Sequence, residues 1–152
     1  MEKLKEMKKI AKPFIKWAGG KSQLLAEIDN SIPENLKYSE FTYIEPFVGG
    51  GAVLFWILQK YPNIKKAVIN DINTDLTNSY ITIKENVEEL IVLLRNWEKE
   101  YHSLKNKTEG KKEYYYSKRK LFNSRMSDKT TQTALFIFLN RTCFNGLYGG
   151  SK

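Results

Sequence analysis

The sequence predicts an α/β fold with an incomplete sheet, followed by a mostly helical second half, and three observations carry that expectation. Two short runs rich in aromatic and β-branched residues, Phe41 to Phe47 and Ala67 to Ile69, read as strands. The segment between them holds a glycine turn and an apolar helical stretch, which makes a βαβ unit whose strands run parallel through a right-handed crossover. From Thr74 onward strand signals cease and apolar residues recur at the 3.6-residue period.

Along the chain, Met1 to Ile10 mixes lysine and glutamate with sparse apolar residues and lacks the apolar core and cleavage site of a signal peptide. Pro13 to Trp17 is short and apolar, and Gly19-Gly20-Lys21-Ser22 then opens a helix with Leu24, Leu25 and Ile28 on one face, stopped at Pro33. The first strand leads into Gly49-Gly50-Gly51 and a helix over Ala52 to Lys60, broken by Pro62 and Asn63. The second strand ends in Asn70, Asp71 and Asn73. In the helical half, Leu76, Tyr80 and Ile83 share a face, and Val87, Leu90, Ile91, Leu94, Trp97 and Tyr101 continue the period. A last helix takes Asp128 as its cap, carries Thr131, Ala134, Leu135, Phe138, Leu139 and Thr142 as one stripe, and ends at Asn145 and Gly146.

Composition narrows the function classes. A chain of 152 residues with 41% hydrophobic content and a formal charge of +8 is expected to fold as one domain, with a subdomain at most. Cys143 is the sole cysteine, so an intrachain disulfide is impossible, which fits a reducing, cytoplasmic setting. Wholly apolar runs such as Ala134 to Leu139 are far below the ~20 residues of a membrane helix. Most of the positive charge, +6, lies within residues 99–129. Such a concentration displaces counterions from nucleic-acid phosphates, although a lysine-rich solvated face has the same composition.

The glycine turn is the first chemical signal. A strand entering a Gly-rich turn and then a helix presents backbone N–H groups to a nucleotide-like ligand. The glycines alone fit a plain turn equally well. Asp71, 22 residues beyond Gly49 at the end of the next strand, adds an acid placed to accept hydrogen bonds from ribose hydroxyls. Glu45 closes the first strand, where it would repel a pyrophosphate and attract a ligand with a sulfonium and an ammonium group. S-adenosylmethionine has that chemistry; a strand-end carboxylate bonded to a neighbouring backbone N–H is the plainer reading of Glu45. Gly20-Lys21-Ser22 is not the end of a phosphate-binding P-loop, because Ile15 stands where that motif requires glycine.

Four segments in order, Phe14-Ile15-Lys16-Trp17-Ala18-Gly19-Gly20-Lys21, Glu45-Pro46-Phe47-Val48-Gly49-Gly50-Gly51, Asn70-Asp71-Ile72-Asn73 and Asn140-Arg141-Thr142-Cys143-Phe144-Asn145-Gly146-Leu147-Tyr148, resemble the Dam-type (class alpha, D12) adenine-N6 DNA methyltransferases. The resemblance implies a Rossmann-like S-adenosylmethionine-dependent methyltransferase fold with a helical DNA-recognition insertion, residues 1–75 belonging to the cofactor domain and 76–152 to target recognition. It implies Trp17, Lys21, Phe47 and Gly49 against the cofactor, Asp71 on its ribose and Ile72 on its adenine. It also implies DNA contacts from Lys16, Arg141, Phe144 and Asn145, with Phe144 wedging into the base stack and Asn145 beside the unpaired base. For Lys16 a solvated surface lysine, and for Trp17 a core aromatic, are the alternatives on composition alone.

Two departures bear on activity. The family's Asp-Pro-Pro-Tyr motif, which orients the amino nitrogen of a flipped adenine toward the methyl group, is absent: Asp29, Asp71, Asp75 and Asp128 are the four aspartates and none precedes proline. Two strand signals also fall short of the family's sheet. The chain is therefore expected to be about half of the usual one, truncated or from a split gene, and inactive alone. The alternative is a non-catalytic DNA-binding or assembly subunit completed in trans. Gly149 stands where the family commonly carries a guanine-reading arginine, so the resemblance does not carry the target sequence over.

Overall fold

The computed structural model describes residues 10–104 and 108–143. The described residues form two compact units, one of residues 10–13 and 19–70, the other of 14–18, 71–104 and 108–143. The first is the α/β unit. A 3-10 turn at Lys21–Leu24 leads into α1, Leu25–Ser31, and a second 3-10 turn, Glu34–Lys37, precedes β1, Phe41–Glu45. Helix α2, Ala52–Lys60, then returns the chain to β2, Ile64–Ile69. β1 and β2 pair in parallel, with Tyr43 opposite Ala67, Ile44 opposite Val68 and Glu45 opposite Ile69. Parallel strands are ordinarily covered on both faces. Here Ile44 is 65% and Val68 40% exposed, so apolar positions of this two-stranded sheet face solvent.

Local chemistry explains most of these limits. Gly49 and Gly51 have φ of +52° and +85°, a region that side chains with a Cβ rarely enter, so this turn requires glycine at both places. Gly51 is also the residue before α2, and its carbonyl accepts from the Phe55 N–H at 2.9 Å. β1 stops at Glu45, earlier than the aromatic run to Phe47 suggested, because the chain turns there. The ladder contributes two further bonds, Asn70 N–H to the Glu45 carbonyl and Val48 N–H to the Asn70 carbonyl, both 2.9 Å. β2 begins earlier than its apolar residues indicated; Lys65 and Lys66 belong to it with side chains in solvent, and two consecutive charged residues hide a strand from a hydrophobicity reading.

The second unit is helical: α3, Thr74–Glu85; α4, Val87–Ser103; α5, Glu109–Ser124; and α6, Lys129–Thr142. Asn73 caps α3 by accepting from the N–H groups of Asp75 and Leu76, and Asp128 caps α6 by accepting from Thr131 N–H at 2.9 Å. α6 packs against α3, α4 and α5. Its sequence suggested one apolar stripe, but Thr130 and every residue from Thr133 to Asn140 are buried, including Phe136 and Ile137 on the opposite side. A helix surrounded by three others has no solvent face, and the apolar run Ala134 to Leu139 satisfies that geometry. Ile15, in the short 14–18 strap, is 4% exposed and belongs to this core with Leu76, Leu90, Trp97 and Phe122. Among the described residues no helix is long and apolar enough to cross a membrane.

Candidate functional site

In the α/β unit, Glu45 is buried at the C-terminal end of β1. Its carboxylate accepts from the Tyr43 hydroxyl at 2.7 Å and pairs with Lys21 Nζ at 3.4 Å, while the same ammonium donates to the Phe47 carbonyl. Burial and the bond to Glu45 push the Tyr43 phenol well above its ordinary pKa, so it remains a donor. Glu45 and Lys21 therefore satisfy each other. Their charges largely cancel, and the ordering of Lys21 across the strand end anchors the Phe47 backbone. Phe47 itself is 70% exposed, an aromatic ring in solvent beside a turn with no side chains at 49–51. A ring exposed at such a place costs hydration free energy and suits a ligand with an apolar part and edges for backbone N–H groups.

In the helical unit, Asp71 and Ile72 begin the segment that leads into α3. Asp71 Oδ1 accepts from Asn73 N–H at 3.0 Å, which shapes the loop into α3. Ile72 is 93% exposed. A carboxylate followed by a fully exposed branched side chain offers a hydroxyl-binding group next to an apolar platform, a pairing that suits a nucleoside. Trp17 is half-buried, its ring 6.1 Å from that of Phe136. Trp17 thus packs against the helical core, as the core reading of its composition expects.

Lys16 projects into solvent, but its backbone does not float. Lys16 N–H donates to Asn140 Oδ1 at 2.8 Å and Asn140 Nδ2 donates to the Lys16 carbonyl at 2.7 Å. Arg141, from the same helix end, donates from Nε and Nη2 to the Phe14 carbonyl at 3.0 and 2.7 Å. Sequence reasoning did not single out Asn140. The signal was available: an amide directly after the apolar run of α6 must find buried partners. Phe144 and Asn145 lie outside the described residues.

The basic stretch is less uniform than its charge suggested. Lys118 Nζ sits 3.9 Å from the centroid of the Trp97 ring and 4.9 Å from that of Tyr114, and burial lowers its pKa. Lys111 lies 4.9 Å above Tyr101, and Arg125 forks onto Asp75 at 2.6 and 3.0 Å. These cations hold helices together, whereas the exposed side chains of Lys112 and Lys120 are open to a polyanion.

The described residues thus form an α/β unit with a parallel strand-turn-helix-strand and a helical unit rich in lysine and arginine. Comparison with known proteins is more particular. Residues 17–152 match the D12 class N6 adenine-specific DNA methyltransferase family, and the chain belongs to that family. It is 49% identical to the Type II methyltransferase M.MjaIII of Methanocaldococcus jannaschii over 93% of this chain and 49% of that protein. It is 40% identical to the Type II methyltransferase M1.LlaDCHI of Lactococcus lactis subsp. cremoris over 97% of this chain and 47% of the relative. With the DNA adenine methylase of Haemophilus influenzae the identity is 35%, covering 90% and 42% respectively. The chain thus spans about half the length of these relatives.

Proposed function

We propose that this chain supplies cofactor binding and target reading to adenine-N6 methylation of duplex DNA. In this reading, residues 1–75 form the N-terminal part of a Rossmann-like cofactor domain and 76–152 the target-recognition region. S-adenosylmethionine supplies the electrophilic methyl group. By resemblance to the family, Trp17, Lys21, Phe47, Gly49, Asp71 and Ile72 would each contact it: Phe47 and Ile72 by apolar contact, Asp71 by accepting from the ribose hydroxyls. Lys16 and Arg141, with Phe144 and Asn145, would meet DNA carrying a flipped adenine. Family membership and relatives named as DNA adenine methylases support the reaction class.

The observation that carries the cofactor assignment is the chemical pairing at the ends of the two strands. A glycine turn that needs positive φ stands beside exposed Phe47, and Asp71 beside exposed Ile72. The chain holds no Asp-Pro-Pro-Tyr, so it lacks the groups that would orient the adenine amino nitrogen. Methyl transfer therefore requires that motif from another polypeptide segment, and the chain alone is expected to bind without turnover. Calorimetric titration with S-adenosylmethionine tests this. Binding should weaken at least about tenfold in Asp71→Ala, the scale of a lost hydrogen bond to a charged group. Equal affinity in the variant would remove Asp71 from the site, and tritiated methyl incorporation by the unaided chain would overturn the division of labour.

A further inference from the structure

The strap formed by residues 14–18 has no helix or strand of its own, yet Ile15 is inserted in the helical core. Its peptide groups must find partners elsewhere. Asn140 supplies them. This side chain is fully buried, and its amide runs alongside the Lys16 peptide, giving one donor and one acceptor just as a neighbouring strand would. Arg141 closes the adjoining carbonyl, that of Phe14, with two N–H groups. Both residues lie in the last turn of α6, and both act on the strap that carries Lys16 and Trp17.

We propose that Asn140 is a positioning residue, assisted by Arg141, which fixes the backbone of Lys16 and Trp17 to the C-terminal end of α6. The functional part rests on the reading above, in which Trp17 faces the cofactor, Lys16 faces DNA and the segment after α6 reads the target. A single buried amide then makes the cofactor-side strap and the DNA-side helix end one rigid piece. A methyl-acceptor site needs this: small displacements of positioning groups cost large factors in rate.

The test uses the full 152-residue chain, labelled with nitrogen-15. Three readouts are the exchange rate of the Lys16 amide relative to that of Leu135, the indole resonance of Trp17 assigned with Trp17→Phe, and the dissociation constant for S-adenosylmethionine. In Asn140→Ala the Lys16 amide should exchange about tenfold faster while Leu135 keeps its rate, with the Trp17 resonance shifted and the cofactor bound about tenfold more weakly, as expected for a lost buried hydrogen-bonded pair. Arg141→Ala, at an exposed position, should show the same pattern at about threefold and carries the test if Asn140→Ala does not fold. Leu135→Val is the control for a merely structural role: it should speed exchange at Leu135 and Lys16 together and leave Trp17 and the dissociation constant unmoved. Unchanged Lys16 exchange and Trp17 resonance in both strap variants would overturn the proposal. If the unaltered chain takes no S-adenosylmethionine, the cofactor reading falls, while exchange and resonance still decide whether Asn140 holds the strap.

Discussion

Arg125 offers a perturbation whose size follows from the geometry. It ends α5 in the left-handed region, at φ +56°, where a side chain with a Cβ costs roughly 1 kcal/mol. Against that strain stand the contacts of its guanidinium. The guanidinium forks onto Asp75 in the first turn of α3, at 2.6 and 3.0 Å, and its carbon lies 4.2 Å from the Phe122 ring centroid. The Asp75 side chain is 13% and the Arg125 side chain 53% exposed, so the pair is only partly screened. A charge-assisted fork of this kind is worth about 1.5 kcal/mol and the ring contact about 0.5 kcal/mol. Arg125→Ala loses both contacts and keeps the strain, for a destabilisation of about 2 kcal/mol; Arg125→Gly loses both but relieves the strain, for about 1 kcal/mol. Urea unfolding followed by circular dichroism, with linear extrapolation, resolves that difference. The order is diagnostic: glycine should be the milder substitution although it is the more flexible residue. An Arg125→Gly variant no more stable than Arg125→Ala would refute the claim that the left-handed turn stores strain and that the fork to Asp75 sustains it.

Truncating Leu135, completely buried in α6 among three helices, to alanine should cost about 2–5 kcal/mol by the same unfolding assay, the range for a core leucine. Asp128→Ala removes the α6 cap and should cost about 1 kcal/mol near neutral pH. The hydrogen bonds from Thr131 lower the Asp128 pKa from 3.8 in the folded state, so its contribution is present above that value and disappears as pH falls through the lower folded value. The two proteins should therefore converge in stability at strongly acid pH, and a difference that persists there would count against the cap. In the proposed DNA-binding role, Lys112→Gln and Lys120→Gln should each reduce the slope of log affinity against log salt by roughly 0.9, one phosphate contact apiece. Lys118→Gln should leave the slope alone and lower stability by about 1 kcal/mol, because its charge rests on Trp97 and Tyr114. Fluorescence anisotropy over a salt series separates the two classes, and a slope change in Lys118→Gln would contradict the assignment.

Part of this architecture was legible because it depends on neighbours in the chain. The glycine turn, the α2 bounds, the start of α3 at Thr74 and the Asp128 cap follow from local conformational preference and short-range periodicity. Their causes lie within a few residues, so the sequence contains them. β2 was longer than it read because Ile64 pairs with Phe41 and Lys66 with Thr42 through their backbones, with Lys65 at the register shift between them, and backbone pairing carries no hydrophobic signature. The break at Asn86 divided a period that looked continuous into α3 and α4.

By itself the sequence determined the α/β start, the helical second half, the family motifs and the absence of the catalytic tetrapeptide, each of them a matter of residue type and order. The tertiary structure decided how polar and charged groups are used, because that depends on partners distant in the chain. It paired Glu45 with Lys21 and Tyr43, stacked Lys118 on Trp97, folded Arg125 onto Asp75 and set Asn140 against Lys16, 124 positions away. A charge count treats such groups as interchangeable. Burial does not, since each polar atom removed from water must be matched by a particular partner, and only the folded chain selects it.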